Sequence, residues 1–259
     1  MISRRQWNFW RSIGCEVSIV KKVISVCMLI VRCNIYPVLA VLGGMVLAET
    51  VAFFFLGLGE ENLYRALSEV PFQAIFAVTL ILLSAILIRT LCDRGGKLNN
   101  TMQRLQISET AVFWLQAGYN ILVFSLLFMV QALVFIGVCV WYAQVHPALA
   151  NHQSVFIAAY DHPLFHCVFP LDNVLCWVCL VLLIVGLGIC SAAYPFRQRR
   201  GRRSITTFLM MLLVFFYLYI QREDHHLSVN AAVYAIPAAV LFAGVSLADV
   251  LGIEEEAYE

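Results

Sequence analysis

Long apolar runs separated by short polar loops constrain this chain more than any other feature. The longest run, from 110 to 142, contains no Asp, Glu, Lys or Arg. Over the whole sequence 62% of residues are hydrophobic and 13% are charged, whereas soluble domains carry about 25% charged residues. Because so little charge cannot cover a water-facing surface, the pattern excludes a soluble fold. It predicts an all-α, polytopic integral membrane protein solvated by the lipid bilayer.

Six runs meet the requirement of roughly 20 apolar residues for a transmembrane helix. We place these spans at about 36–58, 71–92, 110–142, 170–194, 205–221 and 230–250. They form a transmembrane domain over 35–251, which is followed by an acidic cytoplasmic tail over 252–259. Proline disrupts helix hydrogen bonding. We therefore expect Pro195 to end the fourth span and Pro237 to kink the sixth.

Residues 1–34 mix Trp and aliphatic side chains with basic ones. This mixture predicts an amphipathic helix in the membrane interface, with basic residues at anionic headgroups and Trp7 and Trp10 in the acyl boundary. In the alternative, residues 17–31 simply extend the first transmembrane helix. A cleaved signal peptide is disfavoured because Lys21 and Lys22 interrupt the apolar run.

Lys and Arg are concentrated in alternate connections. Of the 17 in the chain, six precede the first span, four lie at the end of the second span or between it and the third, and five lie between the fourth and fifth. The opposite loops hold only Arg65 and Arg222. Since cytoplasmic loops are enriched in Lys and Arg, we predict that both termini are cytoplasmic and that the protein lies in the cell membrane. We expect no nucleic-acid partner.

Signatures of covalent chemistry are missing from the sequence. The glycines in Asp93-Arg94-Gly95-Gly96-Lys97 lack the spacing of a phosphate-binding loop, and neither H-E-x-x-H nor G-x-S-x-G occurs. Cys176 and Cys179 form a C-x-x-C inside a span, which we interpret as small apolar packing rather than a redox or metal site. We therefore expect no catalytic residue and no bound cofactor in this chain.

The connection before the third span has its own helical pattern. Met102 and Leu105 share one face of a predicted amphipathic helix over 100–107, and Ser108 followed by Glu109 indicates a new helix start. The third span would then extend about 50 Å at about 1.5 Å per residue, so it should protrude from the bilayer or tilt.

The stretch Thr101-Met-Gln-Arg-Leu-Gln-Ile-Ser108 resembles the T-x-x-R-L-x-(I/V)-S stretch of type-2 ABC exporter permeases. That family has six spans, both termini inside and no ATPase domain of its own. The resemblance implies a permease subunit that pairs with a second permease half, as a homo- or heterodimer, and with a cytoplasmic ATPase subunit that binds ATP and magnesium. The implied ATPase-coupling residues are Met102, Arg104, Leu105 and Ile107. The long outer loop between the third and fourth spans departs from the family's usual layout.

Polar side chains within the spans are costly and are candidates for function. Gln116, Asn120 and Gln131 fall within about 60° of one another on the third span. They predict either interhelical hydrogen bonds, which we favour, or contacts along a translocation path. Glu49, inside the first span, has to be neutral, paired or facing water, and Arg65 could pair with it if the outer loop folds inward.

All six histidines fall on the predicted outer side. We expect no metal site. If one were present, the candidate ligands would be His162, His166, His225 and His226. Pro163 disfavours helical geometry at His162, so the His162 and His166 pair is expected to straddle a helix start.

A rival interpretation comes from three short motifs. Their residues are Glu60, Glu61 and Arg65, then Tyr142 and His146, then His226 and Asn230. Together they resemble the motifs of intramembrane CAAX-type glutamate proteases, in which Glu and His activate a water molecule and Arg supports the site. Against this, the glutamates here follow the first span in a loop. A further alternative is the membrane subunit of another type of transporter.

Overall fold

The computed structural model describes residues 4–57, 63–92, 108–146, 152–171, 173–199, 205–220 and 225–258. Within these ranges all regular structure is α-helical. The helices are α1 (Arg4–Leu56), α2 (Leu63–Glu69), α3 (Phe72–Cys92), α4 (Glu109–Val145), α5 (His152–Tyr160), α6 (Pro163–Val168), α7 (Val174–Arg199), α8 (Thr206–Ile220) and α9 (His225–Tyr258). The prediction of an all-α chain is confirmed.

Five of these helices contain segments long and apolar enough to cross a membrane. The segments are Val23–Leu56 of α1, Phe72–Arg89 of α3, Glu109–Val145 of α4, Val174–Gln198 of α7 and Asn230–Leu251 of α9. α8 is also apolar, but its 15 residues extend only about 22 Å, less than the roughly 30 Å of bilayer hydrocarbon. The architecture is that of a multi-pass, membrane-embedded protein.

The first helix differs from the predicted arrangement. α1 runs unbroken for 53 residues and has no interruption near residue 35, where the sequence predicts that an interfacial helix ends. Its apolar part already begins at Val23, in agreement with the alternative in which 17–31 extends the first span. Val26 and Ile30 are buried against Val112 and Phe113 of α4, and this contact favours continued helix.

The start of α4 and the end of α7 can be compared with the helix start and helix end that the sequence predicts there. Ser108 caps α4, since its side-chain oxygen accepts a hydrogen bond from the backbone N–H of Ala111 at 3.3 Å. The predicted helix start at 108–109 is confirmed. Pro195, by contrast, lies inside α7 rather than ending it. The next residue, Phe196, packs edge-on against Phe113 of α4. This contact stabilises the last turn of α7, although Pro195 cannot donate a backbone hydrogen bond there.

Contacts at both ends of α1 and α4 show that these helices run parallel. Near the starts of the apolar segments of the two helices, which begin at Val23 and Glu109, Val26 shares a buried cluster with Phe113. Near their ends, Phe53 packs edge-on against Tyr142, with ring centroids 6.4 Å apart. Glu49 and Gln131, in between, are hydrogen-bonded. The chain therefore crosses the bundle in the same direction in both helices.

α3 and α7 both run antiparallel to α4. The ring pairs that align α3 with α4 are Phe72 with Phe135 and Phe76 with Phe128. α7 is aligned with α4 by the pair of Phe113 with Phe196 and by a hydrogen bond between Asn120 and Ser191. At this crossing the backbones are close, because a Cβ on Gly188 would lie 3.0 Å from the backbone nitrogen of Ile121.

α8 and α9 pack on α7 with opposite directions. α8 is antiparallel to α7, since Thr206 at its start contacts Arg197 near the end of α7 while Met210 reaches Gly186. α9 is parallel to α7, because Cys190 contacts Ser246 and Arg197 pairs with Asp249. Small side chains allow the close α7–α9 packing, as is usual in membranes. Those on α9 are Ala232, Ala235 and Ala239, all buried.

Candidate functional site

A carboxyl group is buried between α1 and α4, inside the apolar part of both helices. Glu49 has 0% of its surface exposed, and Gln131 has 1%. The Nε2 of Gln131 donates a hydrogen bond to Oε2 of Glu49 at 3.1 Å. The remaining oxygens, Oε1 of Glu49 and Oε1 of Gln131, are buried without a hydrogen-bond donor. Arg65, considered as a partner for Glu49, is exposed on α2.

The other two residues of the predicted stripe, Gln116 and Asn120, form a hydrogen-bonded chain that reaches α7. Gln116 donates to Oδ1 of Asn120 at 2.9 Å, and Asn120 donates to the hydroxyl of Ser191 at 2.9 Å. Ser191 in turn donates to the backbone carbonyl of Gly188. The predicted stripe of Gln116, Asn120 and Gln131 is therefore fully buried. All three side chains hydrogen-bond, and two of them reach a neighbouring helix.

A second polar network joins α7, α8 and α9. Arg197 pairs with Asp249 and donates to Oγ1 of Thr206 at 2.8 Å. Ser246 donates to the same Thr206 oxygen at 3.1 Å, and Thr207 donates to the backbone carbonyl of Cys190 at 2.8 Å. Our sequence analysis did not single out this network. The available signal was a pair of opposite charges, Arg197 and Asp249, near the ends of two long apolar runs.

A cavity of about 410 Å³ opens at the end of the bundle where α1 finishes and α3 begins. Its lining combines five polar side chains with small apolar ones. The polar residues are Tyr64, Ser68, Glu69, Gln73 and His162. An aromatic layer formed by His162, Phe72 and Phe135 adjoins the cavity. The ring centroid of His162 lies 5.9 Å from that of Phe72 and 4.9 Å from that of Phe135.

The candidate metal ligands His162 and His166 pack against different aromatic residues. His162 caps α6 and Pro163 is its first residue, so the pair with His166 straddles a helix start as predicted. The ring of His166 packs 5.0 Å from Tyr160, whereas His162 contacts Phe72 and Phe135. The side chains of His225 and His226 lie outside the described residues. In the described part of the chain, no three His, Cys, Asp or Glu residues are placed to hold a metal ion.

Three thiols lie close together near the junction of α6 and α7. Cys176 and Cys179 are completely buried on α7, as the packing interpretation predicts, and Cys167 of α6 is buried beside them. Burial raises the pKa of the Cys167 thiol well above its usual value, and the two neighbouring thiols raise it further. This direction favours the protonated, less nucleophilic form of the Cys167 thiol.

Two described members of the protease-like set, Arg65 and His146, belong to helices that both contact α1 and α5, whereas a third, Asn230, lies in another part of the bundle. Arg65 is on α2, which packs against α1 and α5, and Asn230 is on α9, which packs mainly against α7 and α8. His146 ends α4 and its ring lies 4.7 Å from that of Tyr142. Glu60, Glu61 and the side chain of His226 lie outside the described residues.

The predicted coupling residues Met102, Arg104, Leu105 and Ile107 also lie outside the described residues. The described helices bring together two separate polar contacts between their apolar segments. One joins Glu49 to Gln131, and the other joins Gln116, Asn120 and Ser191 about three helical turns away along α4. Such groups can bind a proton, a cation or a polar solute when the helices move apart. Comparisons with protein-family models, with curated proteins and with solved structures found no match.

Proposed function

We propose that the protein is the permease subunit of an ATP-driven exporter, in which the bundle forms the translocation path and a separate ATPase subunit supplies energy. The observation that carries the transport assignment is Glu49. An ionisable side chain inside the apolar part of a membrane helix is costly, and it is usually retained because it takes part in solute or ion movement. Here it meets a neutral amide, so it is not serving as half of a structural ion pair.

The helix directions support six crossings with both termini in the cytoplasm. α7 and α9 run parallel, so the intervening α8 has to return across the bundle despite its short length. Counting α1, α3, α4, α7, α8 and α9, successive helices alternate in direction. An even number of crossings puts both ends of the chain on one side, and the basic connections favour the cytoplasm for that side.

The segment between α3 and α4 supports coupling to an ATPase. It carries the stretch that resembles exporter permeases, and it leads directly into α4 through the Ser108 cap. α4 contains Gln116, Asn120 and Gln131 and contacts α1 and α7. A partner that moves 100–107 would therefore act on the helix that holds the polar contacts together. A second permease half would complete the path.

The coupling step is tested by co-purification. When the tagged protein is purified from its native membrane, an ATPase chain should co-purify with it. Leu105→Asp should weaken this association by more than about 30-fold, because truncating an anchor of a helix-in-groove contact costs about 2 kcal/mol or more. Gln103→Asp introduces the same charge on another face of the predicted helix, and it should leave the association unchanged.

Thermal unfolding of both variants provides the control for folding. The proposal requires that Leu105→Asp unfolds at the wild-type temperature while losing its partner. Retained ATPase binding by a folded Leu105→Asp variant would contradict docking of the ATPase on 100–107. Absence of any ATPase from the wild-type purification would contradict the ATP-driven assignment. It would leave a transporter of another type, since the argument from Glu49 does not depend on an ATPase.

A further inference from the structure

The contact between Glu49 and Gln131 is only half complete. One hydrogen bond joins the amide N–H of Gln131 to Oε2 of Glu49. The other oxygen of each group is buried and has no donor. Both of these oxygens are acceptors if Glu49 is ionised, and buried acceptors without a donor are costly. With Glu49 ionised, the pair therefore lacks one proton, which would form a second hydrogen bond between these two oxygens.

We propose that Glu49 and Gln131 form a proton-binding site, in which a proton on Oε1 of Glu49 is donated to Oε1 of Gln131. The acid and the amide then face each other in a closed ring with two hydrogen bonds. One bond is the N–H to Oε2 contact already present, and the other is O–H to Oε1. A single proton satisfies both buried oxygens and removes the charge from the membrane interior. The proposal concerns only this pair and does not rest on the transport assignment.

The surroundings of the pair favour the protonated form. α1 packs against α2, α3 and α4, and the described ionisable side chains on these four helices can be named. They are Cys27, Arg32, Cys33 and Tyr36 on α1, Tyr64, Arg65 and Glu69 on α2, Arg89 on α3, and Glu109, Tyr119, Cys139 and Tyr142 on α4. No Lys or Arg lies within two helical turns of Glu49 along α1 or of Gln131 along α4. These stretches of α1 and α4 therefore supply no cation to balance a carboxylate at this position.

The aromatic layer beneath the outer cavity separates the pair from water. Phe135 lies one helical turn from Gln131 on α4, and it packs against Phe72 and His162. His162 also lines the cavity. Exchange of the proton with the outer solution therefore requires displacement of these rings. The site is closed in this conformation.

Infrared spectroscopy tests the protonation state directly. The purified wild-type protein at neutral pH should show the carbonyl stretch of a protonated carboxyl group, and this band should shift on ¹³C labelling of glutamate. Glu49→Gln should abolish the band without loss of folding, because a second amide can close the same ring with Gln131. Glu109→Gln, which removes an exposed carboxyl from α4, should leave the band in place.

The pH dependence of unfolding provides a second measurement. An unfolded Glu releases its proton above a pH of about 4.3, whereas the native pair retains it, so folding takes up a proton. The unfolding equilibrium of the wild type should therefore shift toward the unfolded state by up to about tenfold for each pH unit above this value. Glu49→Gln should lack this component. A folded wild type without the infrared band, or equal pH slopes for the two proteins, would overturn the proposal.

Discussion

At the scale of single residues, the bundle is organised by amide side chains that meet a specific partner on another helix. Asn120 illustrates this, since it accepts from Gln116 on its own helix and donates to Ser191 on α7. Hydrogen bonds of this kind in membranes contribute on average about 0.6 kcal/mol, with a maximum of about 1.7. They are individually weak, so their main effect is on which faces of α4 and α7 meet.

Replacing Asn120 and Ser191 singly and together should reveal the energetic coupling between these two side chains. In a double-mutant cycle, Asn120→Ala and Ser191→Ala should show an interaction energy of about 0.5 to 1.5 kcal/mol in reversible unfolding from detergent. Each of these residues takes part in two hydrogen bonds, but Asn120→Ala should destabilise more than Ser191→Ala because it removes a larger buried side chain and leaves a larger cavity. Ser125→Ala, on another face of α4, should not couple to Ser191→Ala. An interaction energy near zero for the first pair would contradict the contact.

At the scale of helices, one close approach is the crossing of α4 and α7 at Gly188. A Cβ at this position would lie 2.4 Å from Cγ1 of Ile121 and 3.0 Å from its backbone nitrogen. The Ile side chain can move, but the backbone of a packed helix cannot, so any larger residue separates the two helices. The crossing lies one turn from Ser191, and its separation would also break the hydrogen bond from Asn120.

Gly188→Ala should therefore destabilise the protein by about 1 to 3 kcal/mol, the usual cost of overpacking a close contact. The same substitution at Gly137 on α4 is a matched control, because a Cβ there meets nothing within 4 Å. Thermal unfolding of the two variants gives the comparison. Equal melting temperatures for Gly188→Ala and Gly137→Ala would show that the crossing is not tightly packed.

At the scale of the whole molecule, α4 and α7 are the central helices, since α7 contacts α3, α4, α6, α8 and α9 while α4 contacts α1, α3, α5, α6 and α7. The parallel packing of α7 and α9 makes α8 the element on which the topology depends. If α8 crosses the membrane, the connections on either side of it lie in different compartments. If it does not, positions 200 and 222 lie on the same side.

Single cysteines in a background without native cysteines distinguish these cases. With six crossings, Arg200→Cys should react with an impermeant maleimide only after the cells are permeabilised. Arg222→Cys, and a cysteine placed between 152 and 162, should react in intact cells. Labelling of position 200 in intact cells would invert the predicted orientation, and identical behaviour at 200 and 222 would show that α8 does not cross.

Patterns of local origin were readable from the sequence. Apolar runs predict all-helical structure because each run satisfies its own backbone hydrogen bonds. The start of α4 at Ser108 depends on a cap formed by residues adjacent in sequence. The stripe of Gln116, Asn120 and Gln131 follows from the helical repeat alone.

Features that join separate helices were decided only by the tertiary structure. The partner of Glu49 is Gln131 rather than Arg65, because α1 and α4 run parallel and bring these residues to the same depth. α1 continues past residue 35, because Val26 and Ile30 find a surface on α4. α7 continues past Pro195 for a similar reason. In each case the deciding contact lies far away along the chain, and local propensity carries no information about it.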